Sequence, residues 1–200
     1  MIIGISINEV LRDQIGQFIY TYEKYIQKTD IKESEVTSTN FMDFFPFDSI
    51  DEYNKFMYLE APLEIFGHAD LVSDGIMTHL NNFIMDTKDD GEHEIVITSK
   101  EVNRSIPATF FFLSKTGCRI ENINFVQDAA DEWKNVDILI TANPDALKNK
   151  PNGKISVKVK APYNQNIIGD YEIDTILDFI KDENLRYKIL NTKITTYEEI

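Results

Sequence analysis

Apolar and polar positions along this chain change period several times, and each change marks an element. Met1 to Ile7 is apolar and β-branched, which suits a buried parallel strand. From Asp13 to Gln27 the residues Ile15, Phe18, Ile19, Tyr22, Tyr25 and Ile26 recur at three- and four-residue spacing, which predicts an amphipathic helix with one core-facing stripe. The stretch Thr29 to Pro46 is polar and turn-rich and ends in the aromatic group Phe41, Phe44, Phe45 and Phe47. Asp48 or Ser49 can then cap a helix running through Asp51 to Leu59, with acidic residues in its first turn where the helix dipole favours them. Another helix is predicted over Ala69 to Met85, on the stripe Ile76, Leu80, Phe83 and Ile84.

After a loop at Lys88 to Gly91 the text turns to alternating strands and helices. HEIVITS reads as a strand, and Ser105 caps IPATFFFLSK, with Pro107 in the first turn and Gly117 as the stop. Short β-branched runs follow at 123–126, 136–141 and 154–159, and a last helix is expected near Ile173 to Ile180. The tail after Leu190 is expected to be partly extended and peripheral. Strands separated by helix-length connections imply an α/β fold: a mainly parallel sheet with helices on both faces. The expected division is an α/β core over 1–12 and 92–200 and an acidic helical cap insertion over 13–91.

Composition sharpens this picture. Hydrophobic residues at 42% with thirteen Phe and nine Tyr are too many for a disordered chain, so a packed core is expected. No apolar run reaches the roughly 18 residues that span a bilayer, and the first residues lack a basic segment and a cleavage site, so neither a membrane anchor nor a signal peptide is expected. One cysteine, Cys118, excludes an internal disulfide and points to a reducing compartment. The net charge of −14 opposes nucleic-acid binding. Asp13 to Gly91 holds sixteen acidic residues against five Lys and no Arg, a difference of −11, and so carries most of the excess.

In an open parallel sheet the working site lies at the carboxyl ends of the strands. Those ends read ISINEVLRD, ITSKEVNRS and LITANPDAL. A strand, a helical insertion of about eighty residues, a strand ending in Thr-Ser, a helix, and a strand running into Asn-Pro together resemble the haloacid dehalogenase (HAD) superfamily over nearly the whole chain, closest to its small 5′-nucleotidase-like members. That resemblance implies a Rossmann-like core and places the family's two catalytic Asp positions at Ser6 and Asn8, with Val10, Leu11 and Asp13 keeping the surrounding pattern. Its phosphate-holding hydroxyl falls at Thr98 or Ser99. Its lysine falls among Pro107, Ala108 and Thr109, with Lys100 and Lys115 out of register. Its magnesium-binding acid falls at Asn143, in the run Thr141, Ala142, Asn143, Pro144, with Asp145 displaced beyond the proline.

A serine with no adjacent base is a poor nucleophile, and Asn8 exchanges no proton near neutral pH. Without the paired carboxylates no magnesium cage is expected. His68, His79, His93 and Cys118 fall in no metal or catalytic spacing, and Gly4 and Gly16 form no phosphate loop. The aromatic group Phe41 to Phe47 suits the insertion's own core, with a partner-docking patch as the other reading.

The expectation is therefore a non-catalytic HAD-like scaffold, without cofactor, that works through protein partners or as a homo-oligomer. The texture of KNVDILITANPDALKNKPNGKISVKVKAPYN is similar to HAD-like reading frames of crAss-like phages, which implies a viral protein. Its place would be the host cytoplasm during synthesis and then the virion, as a structural or tail-assembly component. Two alternatives stay open. One is a magnesium-dependent nucleotide or small-phosphate phosphatase using displaced groups such as Glu9, Asp13 and Asp145; the other is an anion sensor built on Thr98 and Ser99.

Overall fold

A computed structural model describes residues 1–91 and 93–192. Six strands form one parallel sheet: β1 (Ile2–Ile5), β2 (Glu94–Lys100), β3 (Ile123–Val126), β4 (Ile138–Thr141), β5 (Ile155–Val159) and β6 (Tyr171–Ile173). Their spatial order is β3-β2-β1-β4-β5-β6, and every neighbouring pair is parallel. The order reverses direction at β1 and β4, so a crevice opens at the carboxyl ends of that central pair.

Strand parity assigns the faces. Ile3, Ile5 and Ile7 enter the larger core with Ile97, Ile138 and Ile140, while Ile2 packs against a smaller cluster of Val96, Ala129, Trp133, Val136, Leu139 and Ala146. Gly4 lies on that second face, where a Cβ would come within 3.0 Å of Val136 and Thr98 side-chain carbons. Ser6, two residues on, continues the same face.

Among the described residues the α-helices are α1 (Gln14–Tyr25), α2 (Ile50–Lys55), α3 (Ile76–Asp90), α4 (Ser105–Lys115), α5 (Pro144–Lys148), α6 (Ile176–Lys181) and α7 (Glu183–Leu190). Asp13 accepts from Gly16 N at 2.9 Å to cap α1, and Ser49 rather than Asp48 caps α2. After α2 the chain winds through two π-helical turns, Phe56–Glu60 and Leu63–Gly67. At α1 the buried stripe is shorter than its spacing suggests, because Tyr25 and Ile26 are exposed.

Several elements differ from the sequence expectation. Ser105 is the first residue of α4, not its cap: its hydroxyl closes a turn with Val102, accepting from Val102 N at 2.9 Å. α3 begins at Ile76, after Gly75 in left-handed backbone, and ends at Asp90, so the expected loop at Lys88 is helical. Ile173 ends β6 instead of opening a helix, because Thr175 and Asp178 form a capping box that starts α6 at Ile176. Asn143 and Asp182 cap α5 and α7, helices the apolar spacing did not reveal. The tail beyond Thr192 lies outside the described residues.

Packing divides the segment 13–91 into two parts. Ile15, Phe18, Tyr22, Phe41, Phe45, Tyr53, Phe56 and Phe66 form a cluster of their own, joined by Ala108 of α4. The Phe41–Phe47 group belongs to that interior: Phe18 meets Phe41 and Phe45 at ring distances of 4.4 and 5.0 Å, and Phe47 meets Tyr53 and Phe56. Ile76, Leu80, Phe83 and Ile84 of α3 pack instead in the sheet's core. The cap's two ends pair with each other, through Asp13 N to Asp70 O at 3.0 Å and Val72 N to Leu11 O at 3.1 Å.

Candidate active site

Between the cap and the carboxyl ends of β1, β2 and β4 lies a cavity of about 140 Å³. Its sheet side carries Ser6, Asn8, Ser99, Lys100, Glu101, Glu132, Asn143 and Asp145, and its cap side carries Phe41, Tyr53, Met57, Tyr58 and Phe66. Both π-helical turns therefore face it, the first with Met57 and Tyr58 and the second with Phe66. Tyr163 also lines it.

The centre of the sheet side is a residue that sequence reasoning missed. Glu132 comes from the 3-10 turn Ala129–Trp133, on the crossover between β3 and β4. One carboxylate oxygen accepts a short hydrogen bond from the Ser6 hydroxyl, and the other accepts from Asn143 Nδ2 at 3.0 Å. A hydroxyl has one proton; with Ser6 donating to the carboxylate, the 2.8 Å contact between Ser6 Oγ and Thr141 Oγ1 is filled by the Thr141 proton. Asn143 N donates to Thr141 Oγ1 at 3.0 Å, and the Thr98 hydroxyl donates to the Glu132 carbonyl at 3.2 Å. Burial pushes the Glu132 carboxyl up to about 7, against the opposing effect of its hydrogen bonds to Ser6 and Asn143.

A second network stands beside the first. Arg12 is fully buried and pairs with Glu101 at 2.6 Å. All five of its N–H groups are engaged: two on Asn8 Oδ1, and one each on Glu101 Oε1, the Phe66 carbonyl at 3.2 Å and Thr109 Oγ1 at 2.7 Å. Its guanidinium lies 5.0 Å from the Phe66 ring centre and 5.5 Å from that of Phe112. One side chain thus ties the β1 loop, the end of β2, the cap and α4 together. Glu101 Oε2, buried, has no hydrogen-bond partner among the described residues.

The sequence-predicted positions separate into three groups. Ser6, Asn8 and Asn143 meet at the cavity, as their strand-end positions imply. Thr98 bonds Glu132's backbone and Ser99 Oγ accepts a long 3.5 Å bond from Ile7 N; only Ser99 of the two lines the cavity. Ala108 is buried among cap residues. The expectation that Ser6 has no adjacent base is corrected, since Glu132 is bonded to it; a carboxylate on a crossover turn carries no sequence signature tying it to a strand end.

Glu9, Asp13 and Asp145 do not share one site. Glu9, in left-handed backbone at φ 58°, accepts from Gln14 N and Ile15 N at 2.9 and 3.0 Å and so closes the start of α1. Burial pushes its carboxyl up to about 8, with Asp13 and Glu33 adding like charge. Asp145 is exposed at the cavity rim.

No family model and no curated protein match this sequence. Among solved structures 16 chains match. One is YfnB of Bacillus subtilis, a candidate HAD-hydrolase determined bound to magnesium. It is 14% identical with a TM-score of 0.56, and the match covers 92% of this chain and 98% of that one. This chain has a HAD-like fold. The HAD-like frame puts Ser6 at the end of its central strand and Asn143 just past the end of its neighbour.

Magnesium asks for several hard oxygen donors in near-octahedral array, usually including more than one carboxylate. The groups here do not fit it. The strand-end neighbours of Glu132 are hydroxyls and amides, and among the described residues no three His, Cys, Asp or Glu are arranged to hold a metal ion. No helix among the described residues is long and apolar enough to cross a membrane.

Proposed function

We propose that this protein is a non-catalytic HAD-like scaffold whose strand-end cavity serves binding. The observation that carries the reading is the bond between Ser6 and Glu132. A phosphoryl group approaching the end of β1 would meet a buried carboxylate instead of a nucleophile, and Asp145 adds negative charge at the rim. Arg12, which could otherwise balance a phosphate, has no N–H to offer. The virion role expected from the sequence texture belongs to the same proposal, and co-fractionation with phage particles tests it separately.

The deciding experiment is magnesium-dependent hydrolysis of a generic phosphate ester and a nucleotide panel. No turnover is expected from the natural protein, nor from a Ser6→Asp, Asn8→Asp double variant, because the new carboxylate at position 6 faces Glu132. Turnover that disappears on changing Glu9, Asp13 or Asp145 overturns the reading.

One observation favours a second reading. Ser6, Glu132 and Asn143 stand in hydrogen-bonded series, the arrangement of a hydroxyl nucleophile, a base and an orienting amide. Labelling of Ser6 by an activated ester or fluorophosphonate, abolished in Glu132→Gln, would establish it and displace the first.

A further inference from the structure

The cavity's two sides differ in chemistry, and together they describe a ligand. On the sheet side Glu101 is 3% exposed, and its Oε2 accepts nothing among the described residues. A buried carboxylate oxygen without a donor costs free energy that a donor arriving with a ligand recovers. Glu132 supplies a second buried carboxylate, and Asp145 an exposed one at the rim. Facing them, the cap presents Tyr53, Tyr58 and Met57. These side chains make that wall apolar and aromatic, suited to a compact hydrocarbon body.

We propose that the cavity binds a small primary ammonium carried on a compact apolar or aromatic body, with the ammonium at Glu101 and Glu132 and the body against Tyr53, Tyr58 and Met57. The inference rests on the binding-scaffold reading and names its ligand class. The size follows from the volume: about 140 Å³ is close to the roughly 150 Å³ of a cavity that holds benzene. The sign follows from the charges: Arg12 balances one of the two buried carboxylates, which leaves the other for an arriving cation, and Lys100 is exposed.

Benzylamine, benzyl alcohol and phenyl phosphate are near-equal in shape and differ in charge, so titrating each into the full-length protein by calorimetry and thermal unfolding tests the proposal. Benzylamine is expected to bind and raise the unfolding midpoint, and to bind roughly tenfold or more tightly than benzyl alcohol. Glu101→Gln should abolish that preference. Because Glu101→Gln also disturbs the Arg12 pair and with it the fold, Glu132→Gln is the second variant, with the preference for the amine expected to fall. Equal binding of amine and alcohol, or no binding of benzylamine at millimolar concentration, overturns the inference. Phenyl phosphate bound without turnover also overturns it and leaves the scaffold reading standing. Phenyl phosphate hydrolysed overturns both.

Discussion

Arg12 illustrates how much one side chain can determine. A buried guanidinium is tolerable only when its charge is paired and its donors are filled, and here Glu101, Asn8, Thr109 and a cap carbonyl do both. Replacing it with Met should cost about 3–5 kcal/mol in urea unfolding, because Glu101 is left buried and unpaired. Pairing Arg12→Met with Glu101→Leu should recover most of that loss, and the double-mutant cycle measures the coupling. The same logic applies at Ser6. Ser6→Asp sets a second carboxylate against Glu132, and thermal unfolding should show a loss of about 3 kcal/mol. In the sequence, Ser6 and Asn8 are legible as strand-end positions; Glu132 is not, because its role comes from where a crossover turn lands.

At the scale of elements, the cap is held by a neck and a close approach. The neck is the pairing of Leu11–Asp13 with Asp70–Val72. The close approach is at Gly67, where a Cβ would come within 2.7 Å of Leu63 Cδ1 and 3.3 Å of the Ala108 carbonyl of α4. Leu63 can shift but the carbonyl cannot. Gly67→Val should therefore wedge the second π-helical turn from α4, lowering stability by about 1–3 kcal/mol. It should also displace Phe66 from the cavity, read as altered near-ultraviolet circular dichroism. The helices legible in advance are α1, α3 and α6, from their apolar stripes, and α2 and α4, from their turn and capping residues. The short α5 and α7 depend on caps at Asn143 and Asp182, and a three-residue strand such as β6 has too few positions to show a period.

Across the whole molecule, two carboxyls in raised positions make stability depend on pH. Glu132 faces Glu101 and Lys100, and Glu9 faces Asp13 and Glu33; burial dominates both. Between an ordinary value of 4.5 and folded values of about 7 and about 8, the folded state holds more protons than the unfolded chain. Their contribution is thus full below 4.5 and declines as pH rises through the folded values. Glu9 is partly exposed, so Glu132 should carry more of the effect. Unfolding midpoints are expected to fall between about pH 5 and about pH 8.5, and Glu132→Gln should flatten that dependence.

The fold class was set by local information: β-branched runs that cannot be left in water, amphipathic stripes that need a partner surface, and their alternation, which leaves a parallel sheet as the compact solution. The pairing of Ile5 with Ile97 and Ile140, a tertiary register, sets Ser6, Thr98 and Thr141 on one face. The tertiary structure alone also decided what meets those hydroxyls. Glu132 reaches Ser6 from 126 residues away and Arg12 reaches Glu101 from 89 residues away. Contacts at such separations depend on strand order and crossover path, which no local period encodes.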